Sequence, residues 1–231
     1  MIPSNRLVSV IIPTYDAAAY LRETIESVLQ QDWEAMEVIV CDDASTDGTV
    51  AIAREFAPRV TVMQVAHRGL PATRNRAMRA ARGAFLLHLD ADDLLVPGAI
   101  RTLMARHDDD QDYDIVVGRL ESFVSPDLPA DVATRFHVPA EPQRGHLSGS
   151  AIVRASAFDR LGGFDESYPV AADLEWYVRA TGLGARVCSL DEVVLRRRIH
   201  GGNKSLRDKS GLQGNAFQIV RAALARNRSP T

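Results

Sequence analysis

Apolar and polar positions follow two rhythms along the first hundred residues. Short apolar runs at 7–12, 37–41, 60–65 and 84–89 have the length of strands buried on both faces of a sheet. Between the runs the period lengthens. Leu21, Ile25, Val28 and Leu29 fall at i, i+4, i+7 and i+8, the stripe of an amphipathic helix, with Asp16 placed to cap it. Ser45 or Thr46 is placed to cap a second helix running to about Ala57, 72–82 reads as a third that Gly83 terminates, and 97–107 as a fourth. Strand and helix in alternation predict β-α-β units with right-handed crossovers, an α/β fold with a mostly parallel sheet flanked by helices.

Beyond Gly118 the rhythm breaks. The stretch 125–143 carries Pro126, Pro129, Pro139 and Pro142 among few apolar residues and reads as a long, partly irregular excursion. Helical patterning returns at 154–161, ended by Gly162-Gly163, and at 172–182; 187–198 is strand-like. A terminal helix is expected over 212–226, with Leu212, Phe217, Val220 and Leu224 on its apolar side. A chain of 231 residues with no internal repeat fits one domain, divided into a first half to about 118, a second to about 205 and a closing helix over 206–231.

In such a sheet, ligands bind beyond the C-terminal ends of the strands. The first strand exits into Pro13-Thr14-Tyr15-Asp16, the second into Asp42-Asp43-Ala44-Ser45-Thr46-Asp47-Gly48-Thr49 and the fourth into Asp90-Ala91-Asp92-Asp93. If the extended geometry persists, Asp90 and Asp92 point the same way and reach one divalent cation. Like charges that close repel unless a cation or hydrogen-bond donors lie between them. Hard, oxygen-seeking Mg²⁺ or Mn²⁺ suits the pair and commonly brings a substrate phosphate. An acidic turn capping the next helix fits the same spacing. Asp42 or Asp43 is placed to accept a hydrogen bond from an imide N–H, as uracil presents, and Tyr15 offers a ring for stacking. Turn and cap chemistry is the competing account of Asp43 and, above all, of Asp47. Neither Gly-x-x-x-x-Gly-Lys-Ser/Thr nor a strand-borne Gly-x-Gly-x-x-Gly occurs, so a nucleotide site here relies on carboxylates and a metal.

Composition narrows the class. A net charge of -3 and a pI near 6.1 argue against a broad nucleic-acid-binding surface. Cys41 and Cys188 make no disulfide framework, as in a reduced, cytoplasmic setting. The first six residues lack the basic-then-apolar pattern of a signal peptide. No window reaches the roughly 18–20 apolar residues of a membrane span. A soluble cytoplasmic protein, able to visit a membrane surface, is expected.

Taken together, Val8-Ser9-Val10-Ile11-Ile12-Pro13-Thr14-Tyr15, then Glu37-Val38-Ile39-Val40-Cys41 with the Asp42–Thr49 segment, then Gly69-Leu70-Pro71-Ala72-Thr73-Arg74-Asn75-Arg76, then Asp90-Ala91-Asp92-Asp93, closely resemble the family 2 glycosyltransferases of the GT-A fold. The resemblance is dense from residue 7 to about 100 and patchier to about 205. It implies a Rossmann-like GT-A domain and a metal-dependent, inverting transfer of sugar from a nucleotide-sugar, most often a UDP-sugar, to an acceptor hydroxyl. It also implies that Pro13, Thr14, Tyr15, Asp42, Arg74, Asp90 and Ala91 line the nucleotide, while Asp92 ligates Mn²⁺ or Mg²⁺. Asp93 is expected to support the loop and the next helix.

Gly162-Gly163-Phe164-Asp165-Glu166 and Ala172-Asp173-Leu174-Glu175-Trp176 resemble the family's acceptor region. There a carboxylate at a helix start is the general base of inverting members, and Asp173 matches it; the competing account is a helix cap. Ala172 stands where the family commonly has Glu, and Asp16 where it commonly has Asn. His200, opening the loop with Gly201-Gly202, matches a histidine that related enzymes often use as a metal ligand or diphosphate contact. Lys204 and one of Arg196, Arg197 or Arg198 are candidates to neutralise phosphate, and Asp108-Asp109-Asp110 with Asp112 reads as a solvated loop. A sugar nucleotidyltransferase of related fold would need a Gly-rich, Lys/Arg-bearing loop after the first strand, which is missing. A catalytically silent nucleotide-sugar-binding protein would have no need of Asp90, Asp92 and Asp173 together.

Overall fold

The four apolar runs become four neighbouring parallel strands, β1 (Val8–Thr14), β2 (Met36–Asp42), β3 (Val60–Gln64) and β4 (Phe85–His88), in the spatial order β3-β2-β1-β4. The computed structural model describes residues 6–108, 112–136 and 138–203, with 214–215, 218–219 and 221. Alternation along β1 feeds two cores: Val8, Val10 and Ile12 face one layer and Ile11 the other. The first layer is closed by α1 (Leu21–Leu29) and α2 (Thr49–Arg54), the second by α3 (Leu70–Ala80).

The chain then adds β5 (Leu94–Leu95), α4 (Ala99–Asp108), β6 (Ile115–Val124), the single-turn α5 (Ala130–Ala133), β7 (Gln143–Arg144), β8 (Ala151–Arg154), α6 (Ala155–Leu161), α7 (Ala172–Gly182) and β9 (Val187–Ile199). The sheet of described strands runs β3-β2-β1-β4-β8-β6-β9-β5, with β7 paired to β6. β8 is antiparallel to both β4 and β6, which restores the first direction in β6 and its parallel neighbour β9. α4 covers the first layer; α6 and α7 cover the second through Phe158, Trp176 and Ala180. Among its described residues the expected excursion over 125–143 contains only α5 between β6 and β7, and β6 itself is not legible because Arg119 and Glu121 interrupt its apolar run.

Three local expectations are corrected. Asp16 does not cap α1; it sits at φ +46 and its carboxylate accepts the Thr46 N–H at 2.8 Å, while Asp47 accepts the Ala18 N–H at 3.0 Å. Nor do Ser45 and Thr46 cap α2: its first N–H, on Thr49, goes to Asp47 Oδ1 at 2.9 Å. Gly83 does not terminate α3, which ends in an extended Ala81. It is required because a Cβ there would stand 2.5 Å from Ser9 Oγ and 2.7 Å from the Leu7 carbonyl, where β1 passes. The helix expected over 212–226, with Leu212, Phe217, Val220 and Leu224, lies mostly outside the described residues, of which 214–215, 218–219 and 221 are helical. Residues 1–5, Asp109, Asp110 and Lys204 also lie outside them. Among the described residues no helix is long and apolar enough to cross a membrane.

Candidate active site

Parallel pairing in register brings the strand exits to one edge. Thr14 lies opposite Asp42, Pro13 opposite Cys41, and the Asp43 N–H closes the step between strands on the Thr14 carbonyl at 2.8 Å. Asp42 is fully buried. Its Oδ1 accepts the Thr14 hydroxyl at 3.1 Å and the Ser45 hydroxyl, and its Oδ2 accepts the Ser45 N–H at 3.0 Å, which leaves one acceptor position on Oδ2. Asp43 holds the entry to α3, accepting the N–H groups of Arg68 and Gly69 at 2.9 Å each. That is the turn role weighed for it from sequence. His67 was not singled out from sequence; its Nδ1 lies 3.0 Å from Asp43 and its ring 4.6 Å from that of Tyr15, which is 53% exposed.

After β4 the backbone does not stay extended. The Asp93 N–H turns back to the Asp90 carbonyl at 3.1 Å, so Asp90 and Asp92 do not share partners as strand alternation predicted. The Ala91 carbonyl is pinned by the Thr24 hydroxyl at 2.9 Å. Asp90 faces Arg74, whose guanidinium donates to it at 2.6 Å. Arg74 is no helix-surface residue: it is 2% exposed, lies 5.5 Å over the Phe164 ring, and keeps an Nε–H with no partner among the described residues. The same guanidinium donates to Ser148 Oγ at 3.1 Å, and Ser148 donates to Asp173 Oδ2 at 3.2 Å. Asp90, Arg74, Ser148 and Asp173 therefore form one continuous hydrogen-bonded chain.

Asp92 faces the other way, to His200 Nε2 at 2.8 Å and Asn203 Nδ2 at 3.0 Å. Arg198, one of three arginines considered for phosphate, is buried instead: it donates to the Asp92 carbonyl at 3.0 Å and to Glu23 at 2.6 Å, and lies 4.8 Å over Tyr20. Arg196 pairs with Glu121 at 3.0 Å. Asp93, expected to support the loop and the next helix, accepts the Arg198 N–H of β9 at 2.8 Å instead of a group of α4. Burial raises the Asp90 carboxyl above the usual carboxylate range; Arg74 opposes the rise, and Asp92 and Asp173 add to it. Burial, then Asp92 and Asp90, push Asp93 up further. Burial and mutual repulsion thus work against full ionisation of Asp90 and Asp93.

Among the described residues no group of three or more His, Cys, Asp or Glu side chains is arranged to hold a metal alone. Two donors do converge, Asp92 Oδ2 and His200 Nε2. One or two protein ligands completed by substrate phosphates and water is the usual arrangement for Mg²⁺, and imidazole with carboxylate suits Mn²⁺. The donor set fits such an ion.

Asp173 sits in the first turn of α7, whose N-cap is Ala171 with no side-chain cap, so its carboxylate does not cap the helix. Glu175, by contrast, is buried and held by Arg179 at 2.8 Å. The approach to α7 is clamped to α3 by Asn75, which donates to the Phe164 carbonyl and accepts the Phe164 N–H, both at 2.9 Å. Ser148 and Asn203 carried no sequence signal, and Asn75 appeared only inside the Arg74 motif; partners 74 to 111 residues away give them their place.

Acidic strand exits and a carboxylate at a distal helix start thus share one edge of an α/β sheet, and comparison with known proteins identifies the family. The model of the Glycosyl transferase family 2 matches residues 9–159, and the chain belongs to that family of glycosyltransferases. It is 28% identical over 229 residues to a chondroitin synthase of Escherichia coli, covering 95% of this chain and 33% of that protein. It is 29% identical over 230 residues to a hyaluronan synthase of Pasteurella multocida, covering 95% of this chain and 23% of that one. The chain thus spans a third or less of these relatives' lengths. Among solved structures, S. aureus TarS 1-349 in complex with UDP-GlcNAc matches with a TM-score of 0.73 at 21% identity, over 95% of this chain and 66% of that one. The mannosyltransferase PcManGT of Pyrobaculum calidifontis, in complex with GDP-Man and Mn²⁺, matches at 0.68 and 23%, over 97% and 65%. At these identities the two structures speak for the fold, which is GT-A.

Proposed function

We propose that this chain is a metal-dependent, inverting glycosyltransferase that moves a sugar from a UDP-sugar to an acceptor hydroxyl in the cytoplasm. One domain would serve both substrates, with residues to about 118 on the donor side and about 119–205 on the acceptor side. The observation that carries the reading is the Asp90–Arg74–Ser148–Asp173 chain, which links the acidic turn after β4 to the start of α7. UDP-GlcNAc in one structural neighbour and GDP-Man with Mn²⁺ in another support a nucleotide-sugar donor.

Tyr15 stacks on the base, and Asp42 offers its remaining Oδ2 acceptor position to a base N–H; Pro13, Thr14 and Ala91 shape the same wall. Asp92 and His200 would hold Mn²⁺ or Mg²⁺, whose positive charge would screen the donor's diphosphate. Arg74 fixes Asp90, and its Nε–H remains for a donor oxygen. The Ser148 hydroxyl donates to Asp173 Oδ2, leaving Oδ1 to take the acceptor hydroxyl's proton as the hydroxyl oxygen bonds to the anomeric carbon and the nucleoside diphosphate leaves from the opposite face. A general base contributes about 10²–10⁴ in rate and an electrostatic stabiliser about 10²–10³.

A panel of UDP- and GDP-sugars tests the reading. UDP-sugar turnover should require Mn²⁺ or Mg²⁺ and stop in EDTA. Asp173→Asn should bind UDP nearly as the parent does while transfer falls about 10²-fold or more. Transfer by that variant at the parental rate, or turnover untouched by EDTA, rejects the proposal.

A further inference from the structure

A cavity of about 90 Å³ opens between β6, β7, β9 and α7, lined in part by Gly118, Arg144, His146, Tyr177 and Ser189. No step of the proposed transfer uses it. Its floor is two glycines: the Gly145 N–H bonds the Gly118 carbonyl at 3.2 Å, and a Cβ on Gly118 would come within 2.7 Å of Val194. One wall is aromatic, with the His146 ring edge-on to Tyr177 at 5.6 Å and 83°. The charge comes from Arg144. Its register partner across the β6–β7 ladder is Arg119, and like charges opposite one another on adjacent strands repel. Arg119 is neutralised by Asp191 at 2.5 Å. Arg144 is exposed and has no ion-pair partner among the described residues.

The cavity also has a fixed relation to Asp173. Tyr177 lies four residues after Asp173 on α7, so the two project on the same face about 6 Å apart. From Arg144 the chain passes through His146 to Ser148, which holds the Asp173 carboxylate. A volume of this size takes roughly three water molecules. That accommodates a carboxylate or a phosphate ester, not a whole pyranose, which would lie outside it across Tyr177.

We propose that this cavity is an acceptor subsite for an anionic group, a carboxylate or a phosphate ester, carried next to the hydroxyl that Asp173 deprotonates. Arg144 pairs with the anion, Ser189 donates to it, and Tyr177 packs against the sugar or polyol that bears it. The proposal deepens the glycosyltransferase reading and rests on Asp173 being the base.

Saturation-transfer NMR on the UDP–Mn²⁺-loaded protein, with methyl glucuronide, glycerol 1-phosphate and neutral methyl glucoside as probes, tests it. At least one anionic probe should bind where the glucoside does not, and which one binds distinguishes an acidic sugar from a phosphate-bearing polyol. Arg144→Gln should weaken that probe about tenfold or more, Arg144→Lys should retain part of the binding, and Ser189→Leu, which fills the cavity without altering charge, should also weaken it. No anionic probe binding to the parent, or equal binding to Arg144→Gln, overturns the proposal. UDP-sugar turnover measured on the same preparation keeps the two readings apart: anion binding without turnover rejects the acceptor assignment together with the enzyme reading, whereas turnover without anion binding rejects the subsite alone.

Discussion

Asn75→Leu tests the joint between the two halves of the molecule. Asn75 is 6% exposed and exchanges two hydrogen bonds of 2.9 Å with the backbone of Phe164, with a third to Glu166 at 3.2 Å. Phe164 is 4% exposed and packs among Phe158, Trp176 and the Arg74 guanidinium, so no water replaces the lost amide. Leucine keeps the side chain's length but leaves the Phe164 N–H and C=O unsatisfied, at about 1–3 kcal/mol each. Gly163 adds to the cost: its backbone lies so near that a Cβ would stand 2.6 Å from Asn75 Oδ1, and a branched side chain would press against it. The expected loss is about 2–6 kcal/mol, a large share of the roughly 5–15 kcal/mol that holds a domain folded. Urea unfolding should show a lower midpoint with an unchanged slope. Asn75→Asp separates the bonds. It keeps the acceptor for the Phe164 N–H but sets a carboxylate against the Phe164 carbonyl, so its defect should be smaller at pH 4, where the protonated acid donates, than at pH 7. Because residues 162–166 lead into α7, transfer should suffer more than UDP binding in both variants. A change below about 0.5 kcal/mol in Asn75→Leu would refute the claim that these bonds are buried and irreplaceable.

Asp92→Asn should remove most of the gain in UDP affinity that Mn²⁺ confers while leaving thermal unfolding little changed; equal calorimetric affinity with and without metal in the parent would defeat the assignment. His200→Ala should weaken UDP with Mn²⁺ more than UDP alone, and a uniform loss under both conditions would make His200 a simple loop contact. His107, at the end of α4, has its pKa lowered to about 4 by burial and then by Arg154, against the smaller opposing pull of backbone acceptors and Asp112. The folded state keeps it neutral while the unfolded chain takes up the proton below about 6.5, so it lowers stability as pH falls from 6.5 towards 4, by up to about 3 kcal/mol. His107→Phe, packing on Phe85, should flatten that part of the urea-midpoint profile, and an unaltered profile would show that His107 is already protonated in the fold.

The four parallel strands, their helices and the strand-exit residues are legible along the chain, because apolar period and strand exits are local properties. Thr14, Asp42 and Asp90 could be placed on one edge from parallel pairing alone. So could the family, since its motifs are contiguous runs. Tertiary structure decided which groups meet. Strand alternation put Asp90 and Asp92 on one side, but the turn through Asp93 sends one to Arg74 and the other to His200. Arg198 reads as one of three arginines that could neutralise phosphate, yet β9 buries it where the carbonyl of Asp92 and the carboxylate of Glu23 receive it. Ser148 has no local pattern at all; it matters because the β7–β8 connection carries it between Arg74 and Asp173. A hydrogen bond extends about 3 Å and takes no account of sequence separation, so such pairings exist only once the sheet is assembled.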